Sequence, residues 1–266
     1  MPWPPHELRL SGHRGSSARL PENTIAAFRQ ALADGADALE LDLHRTADGH
    51  LVVAHDPDGL RMAGSSGRIA ELSLREVQAW NVAAGFGNGV GEGHTIPTLD
   101  EVLESFPGVP ISVDLKPDDR RAVPELLAII DHHQAAPRVT VGSFHGRLVR
   151  LARRLGYPGP TALTRGEVAA VRLLPAVLAR RLVRGQAAII PCRGMGLRLD
   201  SRRFIHRCRA MGLRVDYWVV NDPDEAHQLL DRGATGIITD DPARMAGVFA
   251  ERQAATSMDK EPAPRR

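Results

Sequence analysis

The stretch DALELDL, residues 37–43, alternates leucine with two carboxylates, Glu40 and Asp42. This period of two predicts a β-strand, because successive side chains of a strand point to opposite faces. Glu40 and Asp42 then share one face and the leucines share the other. Two acids inside a fold repel each other unless a cation or protons lie between them, so this face predicts a functional site. The alternative is that arginines of the protein pair with both acids.

Similar short strands recur on both sides of this stretch. The predicted strands are 8–13, 37–43, 111–116, 138–143, 161–164, 187–190, 213–218 and 235–239. The predicted helices are 24–34, 98–105, 120–132, 145–155, 167–184, 201–211, 223–232 and 242–252. This rhythm over 266 residues predicts an α/β fold, a (β/α)₈ TIM barrel. An open doubly wound sheet is the alternative, and both folds place function at the C-terminal ends of the strands.

Two interruptions break the rhythm of strand and helix. The connection after 37–43 is too short for a parallel crossover, so Asp48-Gly49 predicts a hairpin that returns through 51–54 and carries His55 to the mouth of the barrel. Residues 57–97 form a small insertion after the second strand, with a glycine-rich flexible loop at 85–93. The barrel domain is predicted to span 8–250, and 251–266 to be a disordered tail.

A second strand carries a similar polar pair. In 111–116, Asp114 and Lys116 share one face, which places a third carboxylate near Glu40 and Asp42. Three oxygen ligands without cysteine suit Mg²⁺ or Ca²⁺. Lys116 and Lys260 are the only lysines among 34 basic residues, which suggests that a compact ammonium is needed at the barrel mouth. A simple ion pair of Asp114 with Lys116 is the alternative.

Two histidines reach the same mouth. His13 and Arg14 end the first strand, and His55 ends the hairpin. A histidine pair can act as general acid and base near neutral pH, and an arginine fork suits phosphate oxygens. His44 shares the parity of Asp42 and is predicted to be a rim residue only. Cleavage of a phosphodiester fits this set of groups best.

These residues belong to an ordered series of ten short motifs. The motifs are HRG at 13–15, PENT at 21–24, ELD at 40–42, DG at 48–49, HD at 55–56, PTLDEV at 97–102, DLK at 114–116, SF at 143–144, WVVN at 218–221 and GIITD at 236–240. The series closely resembles the glycerophosphodiester phosphodiesterase family over about 8–250. This resemblance implies a TIM barrel with a small insertion after the second strand.

The resemblance also implies an activity and a set of site residues. The reaction is the hydrolysis of glycerophosphodiesters to sn-glycerol 3-phosphate and an alcohol, with one divalent cation. The implied residues are the metal ligands Glu40, Asp42 and Asp114, the acid/base pair His13 and His55, and the substrate contacts Arg14, Lys116 and Trp218. The family pattern usually has Glu-x-Lys where this chain has Asp114-Leu115-Lys116. That aspartate also resembles the sphingomyelinase D branch, whose disulfides and secretion fit this chain less well.

Composition and charge limit the partners. With 43% hydrophobic and 25% charged residues and a net charge of +2, the chain is typical of a soluble protein that does not bind nucleic acid. We expect a cytoplasmic location, because no secretory signal is seen and two cysteines match no ligand spacing. Residues 145–185 carry nine arginines and one acid, so this segment could contact an anionic membrane, or be a solvated outer helix. A membrane contact would favour lysophospholipase D activity or a non-catalytic lipid-binding barrel. The oligomeric state is not visible in the sequence.

Overall fold

A ring of parallel strands forms the centre of the computed structural model, which describes residues 7–84, 86 and 93–258. Strand β1 (Arg9–His13) pairs with β2 (Ala38–Arg45) on one side and with β12 (Gly236–Thr239) on the other. The sheet continues from β2 through β6 (Ile111–Leu115) to β7 (Val139–Gly142), and from β12 through β11 (Arg214–Tyr217) to β8 (Ala187–Ile190). Parallel bridges Val141–Thr161 and Ala162–Ala187 join the two ends. The strands follow chain order around the ring, which confirms the barrel and excludes the open sheet.

The predicted strand at 161–164 is reduced to these two bridges. Pro160 precedes it and has no N–H to donate, and Thr164 already caps the next helix. Thr164 and Glu167 form a reciprocal capping box, which ends the extended conformation there.

Outside the ring, helices cover the strands and short hairpins extend the loops. The helices are α1 (Ile25–Ala33), α2 (Leu60–Ala63), α3 (Leu74–Gln78), α4 (Leu99–Ser105), α5 (Ala122–His132), α6 (Gly146–Arg154), α7 (Arg165–Leu173), α8 (Ala176–Leu182), α9 (Arg202–Arg209), α10 (Pro223–Asp231) and α11 (Pro242–Met258). The remaining strands are β3 (Leu51–Val53), β4 (Asp58–Gly59), β5 (Ser65–Arg68), β9 (Arg193–Gly194) and β10 (Leu197–Arg198). Within the described ranges, none of these helices is both long and apolar enough to cross a membrane.

The alternating strand β2 packs as its sequence predicts. Leu39, Leu41 and Leu43 are fully buried in the main hydrophobic core. The predicted hairpin is also present, because β3 pairs antiparallel with β2 and Gly49 adopts a φ of 96° in the turn. The chain then enters the insertion, whose own small core packs against the hairpin.

The predicted disordered tail differs in part from the structure, and the predicted glycine-rich loop lies mostly outside it. Helix α11 continues to Met258, so 251–258 is helical instead of belonging to a disordered tail. Glutamate, arginine, glutamine and alanine dominate this stretch, and all favour helix. Residues 85 and 87–92 of the predicted glycine-rich loop, and 259–266, lie outside the described residues.

Candidate active site

The strand register brings the predicted acids and histidines together. His13 lies beside Glu40 in the β1–β2 pair, and Asp42 lies beside Asp114 in the β2–β6 pair. All three strands are parallel, so their C-terminal ends meet at one end of the barrel. Groups that are far apart in the sequence therefore become neighbours.

A cavity of about 530 Å³ opens at this end of the barrel. Seven of the eight predicted site residues line it, namely His13, Arg14, Glu40, His55, Asp114, Lys116 and Trp218. The eighth, Asp42, lies behind them with 1% of its side chain exposed. The structure thus brings all eight predicted residues to one end of the barrel.

Asp42 is surrounded by donors of the protein itself. Lys116 Nζ lies 2.8 Å from its Oδ1, and Arg14 Nε lies 3.0 Å from its Oδ2. Asn23 Nδ2 donates to Oδ2 at 3.1 Å. Burial alone would raise the pKa of Asp42, but Lys116 and Arg14 bring it below its ordinary value. The carboxylate is therefore ionised and paired.

Lys116 is the cation between two of the three predicted metal ligands. Its Nζ lies 2.8 Å from Asp42 and 2.8 Å from Asp114. Burial lowers the pKa of Lys116, but these two carboxylates more than offset that effect and raise it. Among the residues with described positions, no three acids, histidines or cysteines are grouped closely enough to hold a metal. The predicted three-carboxylate group is thus separated by the ammonium of Lys116.

Among the described residues, Glu40 has only a distant ionic partner, the imidazole of His13. Its Oε2 is buried and accepts no hydrogen bond from the described residues, and the nearest histidine nitrogen, His13 Nε2, is 3.9 Å away. Burial and the neighbouring Asp42 raise the pKa of Glu40. A buried oxygen without a donor fits a hard divalent cation by its chemistry, but Asp42 and Asp114 would have to leave Lys116 to join Glu40 around it.

His13 is oriented by an acid that directly follows the last strand, β12. Its Nδ1 lies 2.7 Å from Asp240 Oδ1, and Asp240 in turn accepts hydrogen bonds from Asn221 Nδ2 and Ser17 Oγ. Burial would lower the pKa of His13, but Asp240 and Glu40 raise it above its ordinary value. Asp240 is not among the predicted site residues, although the motif GIITD contains it. Its position directly after the predicted strand 235–239, at the C-terminal end where function is expected, could have indicated a role.

We expect Asp240→Asn to lower kcat by about 10- to 100-fold, because an amide no longer holds the imidazole of His13 through a charged hydrogen bond. The neighbouring Asp241→Asn is the matched control, since Asp241 contacts the half-exposed Arg19 across 3.5 Å and accepts a hydrogen bond from the backbone N–H of Arg244, which an amide oxygen can also accept. Steady-state kinetics of both variants tests this expectation. Equal kcat values for the two variants would contradict it.

The hairpin carries His55 back to the cavity. Asp56 Oδ1 lies 2.8 Å from His55 Nδ1, so this histidine is also oriented through Nδ1 by a carboxylate. His44 Nε2 lies 3.0 Å from the carbonyl oxygen of His55. His44 is buried, so it supports the His55 loop from behind and is not the rim residue that the sequence predicts.

Arg14 adopts a left-handed backbone conformation at φ 57°. Its N–H donates to the carbonyl of Glu40, and its own carbonyl accepts from Asn23, which also has a positive φ. Gly15 follows at φ 86°, where a Cβ would lie 2.5 Å from the backbone of Ala27 in α1. This strained turn aims the guanidinium at Asp42 and into the cavity.

An aromatic wall forms the other side of the cavity. Trp218 and Phe144 meet edge to face at 5.8 Å, and the cations of Lys116 and Arg165 lie 5.7 and 5.4 Å from the Phe144 ring centre. Most of the remaining wall is apolar, including Leu163, Ile190, Met195 and Val219. The cavity therefore has one strongly polar end and one apolar end.

A closed parallel barrel with a polar cavity at the C-terminal ends of its strands is the architecture of TIM-barrel enzymes. Residues 13–244 match the Glycerophosphoryl diester phosphodiesterase family, and the chain belongs to this family. The predicted identification as a glycerophosphodiester phosphodiesterase is thereby confirmed at the level of the family.

Two relatives and one solved structure are similar to the chain over most of its length. The chain is 30% identical over 242 residues to a glycerophosphodiester phosphodiesterase of Caldanaerobacter subterraneus, covering 86% of this chain and 93% of that one. It is 27% identical over 265 residues to a lysophospholipase D of Homo sapiens, covering 88% and 83%. The crystal structure of glycerophosphodiester phosphodiesterase from Agrobacterium tumefaciens superimposes with a TM-score of 0.75 at 23% identity, covering 90% and 99%.

Proposed function

We propose that this chain hydrolyses glycerophosphodiesters to sn-glycerol 3-phosphate and an alcohol, with His13 and His55 as general acid and base. One observation carries the proposal: both histidines line one cavity with Arg14 and Lys116, and each has its Nδ1 on a carboxylate. Such a partner orients the imidazole and leaves Nε2 for proton transfer. Family membership agrees with this reaction.

The side chains that line the cavity would have separate roles in the reaction. One histidine accepts the proton of the attacking hydroxyl, from water or from the glycerol 2-hydroxyl, and the other protonates the leaving alkoxide oxygen. Arg14 and Lys116 oppose the charge of the phosphate oxygens. Trp218 would pack against the glycerol or head-group side of the substrate.

We further propose that one divalent cation, Mg²⁺ or Ca²⁺, takes part. Glu40, Asp42 and Asp114 would hold it, and when bound it would polarise the phosphoryl oxygens and the attacking hydroxyl. Lys116 pairs with Asp42 and Asp114, so the ammonium and the cation would compete for these carboxylates. The buried Oε2 of Glu40, which accepts no hydrogen bond within the described part of the chain, supports the choice of Glu40 as a ligand.

The test is the release of sn-glycerol 3-phosphate from a panel of glycerophosphodiesters, with Mg²⁺, with Ca²⁺ or with EDTA. We expect release that EDTA abolishes and that one of the two cations restores. Release that continues unchanged in EDTA would overturn the metal proposal alone. No release from any diester in the presence of either cation would overturn the proposed reaction.

Lysophospholipids are a second candidate substrate class. The apolar end of the cavity, with Met195 and Val219 exposed at its rim, can accept a chain longer than a small head group. The similarity to a lysophospholipase D is consistent with this. The ratio of kcat/KM for acylated and deacylated forms of the same diester decides between the two classes.

We also propose a membrane contact within 145–185, made by helix α8 and its flanks. Four apolar side chains there are at least 47% exposed, namely Leu173, Val177, Leu178 and Leu182. Residues 172–184 also hold four arginines and no acid. Elsewhere in the segment Arg153 has an internal role, since it pairs with the buried Glu167.

The proposed location is the cytoplasm, where the free Cys192 and Cys208 stay reduced.

We expect the chain to bind vesicles containing phosphatidylglycerol more tightly than vesicles of phosphatidylcholine alone. The double change Val177→Ser and Leu178→Ser should weaken this binding at least about tenfold, because two apolar side chains no longer enter the interface. Leu155→Ser, similarly exposed but in α6's C-terminal cap, is the control. Co-sedimentation measures the binding. Equal binding to both vesicle types would exclude this contact. Binding to anionic vesicles by a chain that hydrolyses no diester would favour the non-catalytic lipid-binding barrel.

A further inference from the structure

Arg61, in helix α2 of the insertion, connects two parts of the proposed site without lining the cavity. Its Nε lies 2.6 Å from Asp56 Oδ2. Its Nη1 and Nη2 lie 2.9 and 2.7 Å from the two oxygens of Glu22. One guanidinium fork thus holds two carboxylates that come from different loops.

Each of these carboxylates touches a different side chain at the cavity. Asp56 uses its other oxygen, Oδ1, for His55 Nδ1 at 2.8 Å. Glu22 Oε1 lies 3.0 Å from Arg14 Nη1. The first arm therefore runs from Arg61 through Asp56 to a proposed proton-transfer group, and the second through Glu22 to a proposed phosphate-binding group.

The carboxylates of both arms, Glu22 and Asp56, are held in their charged form. Burial would raise the pKa of Glu22, but Arg61 and Arg14 lower it below its ordinary value. The same balance between burial and Arg61 lowers the pKa of Asp56. Both carboxylates are ionised, so each forms charge-assisted bonds in two directions.

We infer that Arg61 is a positioning residue that sets His55 and Arg14 together, and so couples the insertion to the active site. The inference rests on the proposed function of these two residues. Without Arg61, Asp56 and Glu22 each keep one partner and can turn away from the cavity. A lysine cannot replace the guanidinium fully, because one ammonium does not match both carboxylates with a planar fork.

The test compares Arg61→Met with Arg61→Lys, and with Arg68→Met as the matched control. Arg68 lies in the same insertion, and its one ion pair within the described part of the chain is an exposed contact with Glu71 at 3.6 Å. We expect Arg61→Met to lower kcat about 10- to 100-fold and to raise KM several-fold. Arg61→Lys should recover part of the loss, and Arg68→Met should match the parent. Parent-like kinetics of Arg61→Met would overturn the inference.

The two arms can be separated by combining variants. Arg61→Met added to Asp56→Asn should lower kcat little further, because the His55 arm is already broken, but should still raise KM through Glu22 and Arg14. Fully additive losses in kcat, together with an unchanged KM, would contradict the two-arm arrangement.

A readout independent of turnover is the ¹⁵N–¹H imidazole signal of His55, assigned by its loss in His55→Ala. Arg61→Met should shift this signal, and Arg68→Met should not. Lower activity and a lower Tm with an unshifted His55 signal would show that Arg61 has only a structural role. This measurement needs no substrate, so it stands even when the parent hydrolyses no glycerophosphodiester and the proposed function itself fails.

Discussion

His13→Ala is expected to lower kcat for glycerophosphodiester hydrolysis by about 10²- to 10⁴-fold, the usual contribution of a general acid or base. The imidazole combines three properties that alanine removes. Its Nδ1 is held at 2.7 Å by Asp240, its side chain lines the cavity, and its pKa is raised by Asp240 and Glu40 in spite of burial. The measurement is the rate of sn-glycerol 3-phosphate release at saturating substrate.

The fold should survive this change. His13 lines a cavity, and Asp240 keeps its hydrogen bonds from Asn221 and Ser17. We therefore expect a Tm close to that of the parent. His50→Ala is a suitable control, because His50 is exposed in the β2–β3 turn. A His13→Ala variant that keeps its Tm and turns over at the parent rate would remove His13 from the mechanism.

The sequence predicts the barrel because the alternation of side chains within a strand is a pattern that neighbouring residues alone establish. The alternation in DALELDL decides which side chains face the interior, and a shift by one residue would reverse every one of them. The hairpin follows from a connection too short for a crossover. The parallel pairing of β1 with β12 is a contact between distant parts of the chain, so ring closure became visible only in the structure.

The partners within the site were harder to predict. Lys116 and Asp114 share a strand face, but the contact of Lys116 with Asp42 depends on the register between β2 and β6. The contact of Asp240 with His13 depends on ring closure, and that of Arg61 with Glu22 on how the insertion packs. Sequence pattern identified the chemical groups at the barrel mouth, and tertiary contacts decided which of them are paired.

Lys116→Arg is expected to reduce kcat/KM at least about 100-fold although the charge is kept. The ammonium of Lys116 fits between Asp42 and Asp114 at 2.8 Å from each, and Asp42 is already bound on its other oxygen by Arg14. A planar guanidinium on a longer side chain cannot take the position of this point charge without moving the two carboxylates. Those carboxylates are proposed metal ligands, so the change should disturb both phosphate contact and cation binding.

Two controls separate geometry from charge in this prediction. Arg121→Lys, the reverse exchange at a side chain that is 74% exposed and pairs with Asp119, should leave kcat/KM unchanged. Lys116→Met removes the charge and leaves the buried Asp42 with less compensation, so it should lower the Tm as well as the activity. If the ammonium and the cation compete, Lys116→Met should bind Mg²⁺ or Ca²⁺ more tightly than the parent. The measurement is the increase in Tm when the cation is added to each protein. Parent-like kcat/KM in Lys116→Arg would show that any cation suffices here, and that the scarcity of lysine in this chain has no catalytic reason.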